Sequence, residues 1–174
     1  KNKIIGKKVI LRRLKKGDEL SIYQNVRDED IYRFMPPIPY PYTIKDARKF
    51  IRLGSKKGYQ FGVVLKDKND VIGTMALVPA KSNKKIAEAG YWLGKKYRRQ
   101  GIGFEALELI LNFGFKDLKL KRIFAKVIKG NFASAGLLEK HNFKLEGILR
   151  SHCFCRGKLQ DDLFYGLLKE EFLK

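Results

Sequence analysis

The sequence predicts a mixed α/β domain of the α+β kind, built on a twisted, mostly antiparallel sheet that contains one parallel pair of strands. Runs rich in β-branched and apolar residues at 59–65, 71–78 and 86–93 follow one another across short polar turns, as in an antiparallel meander. A long apolar segment, Phe104 to Leu118, separates the third of these runs from another at 122–128. A connection of that length is a helical crossover between parallel strands. A chain of 174 residues is enough for one full-sized core and short for two, so a single domain over 1–174 is expected.

Val9 to Leu14 is the first strand, closed by Lys15-Lys16-Gly17. Asp18 stands where a helix N-cap belongs, and the helix runs to about Val26. The segment from Phe34 to Tyr42 holds four of the five prolines, which excludes a helix or a central strand. It is either a rigid connector or a preorganised wall of aromatic and proline side chains against which an acceptor molecule lies. Thr43 with Asp46 is a variant capping box that opens a second helix to about Leu53.

The meander comes next, turning at Lys66–Asp70 and Lys81–Lys85, and then the crossover helix, apolar on nearly every side and therefore buried. Arg122–Ile128 is a strand, Asn131–His141 a short helix, and Phe143 onward a strand pair that turns at Arg156-Gly157-Lys158 and returns through Leu163–Leu168. The predicted order is β-α-α-β-β-β-α-β-α-β-β.

The stretch from Trp92 to Ala106, WLGKKYRRQGIGFEA, joins the third meander strand to the crossover helix. A glycine-rich turn opening a helix presents unpaired backbone N–H groups and the positive end of the helix dipole, which together bind anions. Its position at the carboxyl end of a strand, beside a parallel neighbour, is where open α/β sheets take ligands.

The net charge of +20 comes from lysine and arginine spread along the whole chain. It reflects either acidic partners such as nucleotides, RNA or the ribosome, whose association would weaken with salt, or a lysine-rich proteome. Cys153 and Cys155 point the same way on one strand and are poorly placed to bridge each other, so neither a disulfide framework nor a zinc site is expected. No apolar run reaches the roughly 20 residues that span a bilayer, and a cytoplasmic location is expected.

Four ordered elements then carry a resemblance. Arg98-Arg99-Gln100-Gly101-Ile102-Gly103 matches an Arg/Gln-x-x-Gly-x-Gly/Ala signature, and Gly90-Tyr91-Trp92-Leu93 a Gly-Tyr-Trp-Leu strand end. Asn131 and Ser134 match Asn-x-x-Ser, followed by Glu139-Lys140, Phe143 and Glu146-Gly147. In these the chain resembles the GNAT (GCN5-related N-acetyltransferase) superfamily, and within it the branch that acetylates alanine and serine N-termini of ribosomal proteins. The likeness covers nearly the whole chain.

The resemblance implies the GNAT fold, with the parallel pair splayed at the cofactor site, and acetyl-CoA as cosubstrate. It implies that the backbone around Gln100, Gly101, Ile102, Gly103 and Phe104 holds the pyrophosphate. Arg98 and Arg99 either add contacts to phosphates or form a solvated basic face. Backbone groups of Trp92 and Leu93 would be free for the pantetheine arm, with an N–H polarising the acyl carbonyl. Asn131 would bond the pantetheine arm, cap its helix, or both. Ser134 would protonate the leaving thiolate or merely satisfy backbone groups.

The acceptor implied is a primary amine, foremost the N-terminal α-amine of a protein. Such an amine has a pKa of about 7.7–8.0 and is already partly neutral at cellular pH. The branch's usual glutamate base falls at about Cys153, a thiol that is a weak substitute. Glu88, on the strand ending at Leu93, is the replacement expected, with Asp161, His152 and Glu146 behind it. Acetylation of a small amine such as an antibiotic or polyamine is the second enzymatic reading. A non-catalytic, acetyl-CoA-binding partner of RNA or the ribosome is the third.

Overall fold

The computed structural model describes residues 1–54 and 58–172. Its single sheet has the order β1-β2-β3-β4-β5-β6-β8-β7. The strands are β1 (Lys3–Ile5), β2 (Val9–Arg12), β3 (Tyr59–Leu65), β4 (Val71–Pro79), β5 (Ile86–Leu93), β6 (Arg122–Ile128), β7 (Lys144–Cys155) and β8 (Lys158–Leu168). The helices are α1 (Glu19–Val26), α2 (Glu29–Phe34), α3 (Ile44–Gly54), α4 (Ile102–Asn112), α5 (Phe132–Glu139) and α6 (Lys169–Phe172). All the strand pairings are antiparallel except β5 with β6. The expected mixed sheet is therefore the observed one.

Side-chain alternation divides the helices between the two faces. Ala87 and Ala89 of β5 and Ile123, Ala125 and Val127 of β6 point into a large core with Ile102, Ala106, Leu107, Ile110 and Leu111 of α4. Trp92, Val64 and Val71 point the other way, into a smaller core with Ile22 and Val26 of α1, Ile31 of α2 and Ala47 of α3. The 310 turn Lys95–Tyr97 leads from β5 into the glycine turn.

Three short elements escaped the sequence reading: β1, α2 and α6. Each is too short to show a 3.6- or 2-residue period, and α2 is defined instead by its cap, where Asp28 Oδ1 accepts from the Asp30 N–H at 3.0 Å. Asp18 precedes α1 but does not cap it with its side chain. Its carboxylate instead receives both guanidinium nitrogens of Arg12 at 2.8 Å and the Lys15 N–H at 2.8 Å, because a fixed cation within reach outbids the helix end. The Thr43–Asp46 box forms as expected, with reciprocal bonds of 2.8 and 3.2 Å.

The crossover helix begins two residues earlier than read and ends in a π turn over Phe113–Asp117. Gly114 sits in that turn, where a Cβ would come within 2.9 Å of Ile123 and Leu77 side-chain carbons. The missing side chain lets the helix end seat directly on the sheet.

Candidate active site

The site begins where β5 and β6 part. Their parallel register runs Ile86↔Arg122, Ala87↔Ile123 and Glu88↔Phe124 and then stops, although β5 continues to Leu93 and β6 to Ile128. Beyond Glu88 the two strands no longer bond to each other, which opens their facing edges to a ligand's amide groups as far as the Leu93 carbonyl. Gly90 lies on this stretch, with nothing within 4 Å of where its Cβ would be.

At the far end of β5 is the anion cradle. Gly101 is the N-cap of α4 with φ +76°, left-handed backbone that an L side chain tolerates poorly, and it has no side-chain oxygen to offer the helix. The first intrahelical bond is Glu105 N–H to Gly101 O, so the N–H groups of Ile102, Gly103 and Phe104 have no partner within the helix. The β1–β2 hairpin braces the cradle from behind. Glu105 Oε1 accepts from the Lys8 and Val9 N–H groups at 2.8 and 3.3 Å, and Lys8 Nζ donates to Gln100 O at 3.0 Å. Arg99 and Gln100 are exposed at its mouth. These groups fit the phosphates of acetyl-CoA.

The two arginines part company. Arg98 donates from Nε to the Leu93 carbonyl at 2.9 Å and from its other nitrogens to Asp30, at 3.0 Å, and Asp28. It ties the end of β5 to the start of α2 and occupies the strand-end carbonyl that sequence reasoning left open for a ligand.

Ser134 and Asn131 lie on the α4 side of the opening. Asn131 caps α5, its Oδ1 accepting the Ser134 N–H at 3.2 Å. Ser134 Oγ is 2.8 Å from the Tyr91 hydroxyl. Tyr91 lies deep, and burial pushes its phenol up to about 12, so it stays protonated throughout the neutral range. Sequence reasoning passed over this hydroxyl, although alternation along β5 already sets Tyr91 on the face opposite Glu88 and Trp92.

The other face carries Glu88, whose Oε1 is 3.2 Å from Lys126 Nζ on β6. Directly opposed residues share a face, so Phe124, Lys126 and Ile128 of β6 lie beside Gly166, Phe164 and Asp162 of β8 on Glu88's side of the sheet. Phe124 and Phe164 stack there at 5.1 Å. Cys153, opposite Gln160, joins the same face, and its thiol is pushed up by burial and then by the Asp162 charge. A thiol held protonated is not a base.

The loop after α2 is pinned over this side of the sheet. Met35, Ile38 and Tyr42 pack on the core that holds Trp92. Arg156, in the two-residue β7–β8 turn, donates to the carbonyls of Tyr32, Met35 and Ile38 at 2.9, 3.3 and 2.7 Å and stacks on the Tyr32 ring at 3.9 Å. Nothing in the sequence pattern points to this clamp, since an arginine beside a glycine reads only as turn chemistry. Asp161 is bound to the Ser151 N–H and faces Lys129, while Glu146 is bound to Arg122.

Comparison with known proteins points to one family. A family model described as an acetyltransferase (GNAT) domain matches residues 8–144. The chain is 29% identical over 170 residues to the uncharacterized N-acetyltransferase p20 of Bacillus licheniformis, covering 95% of each. It is 26% identical over 124 residues to the ribosomal-protein-serine acetyltransferase of Escherichia coli, covering 70% of this chain and 69% of that one. The crystal structure of a GNAT-family acetyltransferase from Bacillus anthracis superposes with a TM-score of 0.86 at 26% identity, covering 97% of this chain and 99% of the other.

Proposed function

The chain belongs to the GNAT acetyltransferases, enzymes that use acetyl-CoA, and we propose that the amine it acetylates is the N-terminal α-amine of a protein. The observation that carries this reading is the loop at 35–42, held over the acceptor face by Arg156 and Trp92. It makes a rigid wall beside the strand opening, suited to the extended first residues of a peptide. The similarity to a ribosomal-protein-serine acetyltransferase supports the same acceptor class, and the +20 charge suits work close to RNA.

In this reading the N–H groups of Ile102, Gly103 and Phe104 take the phosphates, with Arg99, Gln100 and Gly101 around them. The parted edge of β5 up to Trp92, with Asn131, takes the pantetheine arm. Arg98 acts by fixing the end of β5. The amine nitrogen attacks the acetyl carbon, the carbon–sulfur bond breaks, and Ser134 protonates the departing thiolate.

An α-amine that enters as an ammonium ion loses two protons before it becomes an amide. The nitrogen of the addition intermediate is strongly acidic, so a carboxylate suffices for the second proton, and that role falls to Glu88. Glu88→Gln is expected to lower kcat roughly tenfold or more at every pH between 7 and 9. Unchanged kcat would remove the assignment.

Mass spectrometry after incubation with acetyl-CoA tests the acceptor. Peptides beginning with Ala or Ser should gain one acetyl group at the α-amine, and N-terminally blocked copies should gain none. Acetylation of polyamines or aminoglycosides in preference to every peptide would overturn the proposal. Cofactor binding with no thiol release from any amine would favour a binding role.

A further inference from the structure

We propose that His152, held by Asp162, takes the first proton, the one that converts the incoming ammonium to the nucleophilic amine. The inference deepens the acetyl-transfer reading and rests on it. Asp162 lies on β8 opposite Ile128, the last residue of β6, and is only 6% exposed. A buried carboxylate requires a partner. It has one on the neighbouring strand, where His152 Nδ1 stands 2.8 Å from Asp162 Oδ2.

A bulge in β7 makes that contact. The register passes from Leu149↔Asp162 to Cys153↔Gln160, so β7 spends four residues where β8 spends two. Ser151 takes φ +50° within the bulge, and its N–H donates to Asp161 Oδ1 at 3.0 Å. The distortion swings His152 toward Asp162 while leaving its side chain 49% exposed. The ring lines an open cleft with Ile148, Leu149, Arg150, Ser151 and Asp161.

The chemistry follows from the donor inventory. An ionised carboxylate only accepts, so in the neutral imidazole the shared proton belongs on Nδ1 and Nε2 is the atom left with a lone pair. Asp162 fixes the ring and stabilises the imidazolium that forms, which makes it a positioning residue. The charged or titratable groups on the adjoining segments are Asp161, which faces Lys129 and Arg150, and Cys153, which feels Asp162 and Lys126, the partner of Glu88.

An imidazole matches a peptide ammonium far better than a carboxylate does, since proton transfer is most efficient between groups of similar pKa. The proton passes from nitrogen to Nε2 and on to water, the amine then attacks, and the second proton leaves after the carbon–nitrogen bond forms. Over the cycle one proton ends on the thiol and one in solvent.

The test is the ratio of kcat/KM for an Ala-starting peptide at pH 9 and pH 7, at saturating acetyl-CoA. Wild type uses the ammonium form and should change little between the two. His152→Gln must wait for free amine in solution, so its ratio should rise by about six- to tenfold, the change in the free-amine fraction for a pKa of about 7.7–8.0. Asp162→Asn should move the same way, and added imidazole should restore His152→Ala at pH 7. Acetyl-CoA affinity and melting temperature of each variant report folding, with His152→Asn in reserve if the glutamine variant is unstable.

A wild-type profile in His152→Gln overturns the proposal, as does an equal loss at both pH values, the mark of a structural role. Wild type that acetylates a small amine but no peptide would defeat the acceptor reading, and the same ratio measured with that amine would still decide the role of His152.

Discussion

The Tyr91 hydroxyl and Ser134 Oγ lie 2.8 Å apart, joining the parted strand β5 to the helix that follows β6. The pair lies on the α4 side of the opening, so the serine is held by a phenol that keeps its proton, pushed up to about 12 chiefly by burial. Ser134→Ala should lower kcat about a hundredfold if the hydroxyl protonates the thiolate. Tyr91→Phe removes only the hydrogen bond that orients it, worth about 0.5–1.5 kcal/mol, or roughly two- to tenfold in kcat. In both variants acetyl-CoA affinity by calorimetry should be unchanged. An intact kcat in Ser134→Ala would show that the thiolate leaves unaided.

Gly101 makes a separate prediction, because its left-handed backbone shapes the cradle before any ligand arrives. Gly101→Ala should cost about 1–2 kcal/mol of stability, since an L side chain resists that conformation. The nearest atom to the new Cβ would be Lys8 Nζ at 3.4 Å, the far end of a flexible side chain, so the strain is in the backbone and not in packing. If the loop relaxes toward φ < 0, the N–H groups turn away and acetyl-CoA affinity should fall about tenfold for each 1.4 kcal/mol lost. Melting temperature and titration calorimetry together separate the two effects.

What was legible in the sequence was whatever depends on local pattern. Gly101 and Gly103 before an apolar helix, the meander, and the crossover to Arg122–Ile128 all follow from period, turn chemistry and connection length. What was illegible depends on which distant side chain arrives first. Local pattern makes Asp18 a cap, yet Arg12 takes it; it sets Arg98 either on phosphates or on a solvated basic face, yet Asp28 and Asp30 engage it. Local rules supply the sites for polar groups, but charge-assisted partners supplied by the tertiary fold outcompete them. His152 was readable only as one base among several, because the bulge that delivers it to Asp162 has no signature in the sequence.

Arg156 should govern the acceptor without touching the cofactor. Its guanidinium holds the carbonyls of Tyr32, Met35 and Ile38. Arg156→Ala frees the loop and should raise KM for the peptide at least about tenfold, charge-assisted bonds of this kind being worth about 1.5–3 kcal/mol each. Acetyl-CoA affinity should hold. Arg156→Lys keeps the charge but not the planar fork, so it should fall between the two. Equal damage to peptide KM and acetyl-CoA affinity would mean that the clamp supports the whole fold instead.

The pairing of Arg122 with Glu146 gives a prediction in pH. Glu146 lies in a bulge of β7 over Gly166, where an added Cβ would collide with its carboxylate, and it binds Arg122 Nη1 at 2.6 Å. The hydrogen bonds from Arg122 hold its carboxyl below the ordinary range. A carboxyl whose folded pKa is lowered stabilises the fold above its unfolded pKa, about 4.3, and loses that contribution as pH falls through the lower folded value. The pair is partly exposed, so its worth is at most about 1 kcal/mol. Wild type should therefore melt slightly above Glu146→Gln from pH 7 down to about 5, and the difference should vanish on further acidification. Gly166→Ala, which displaces the carboxylate by contact, should lower the neutral-pH melting temperature in the same way and add little when combined with Glu146→Gln. A difference that persists unchanged well below pH 4 would show that the glutamate acts through packing and not through its charge.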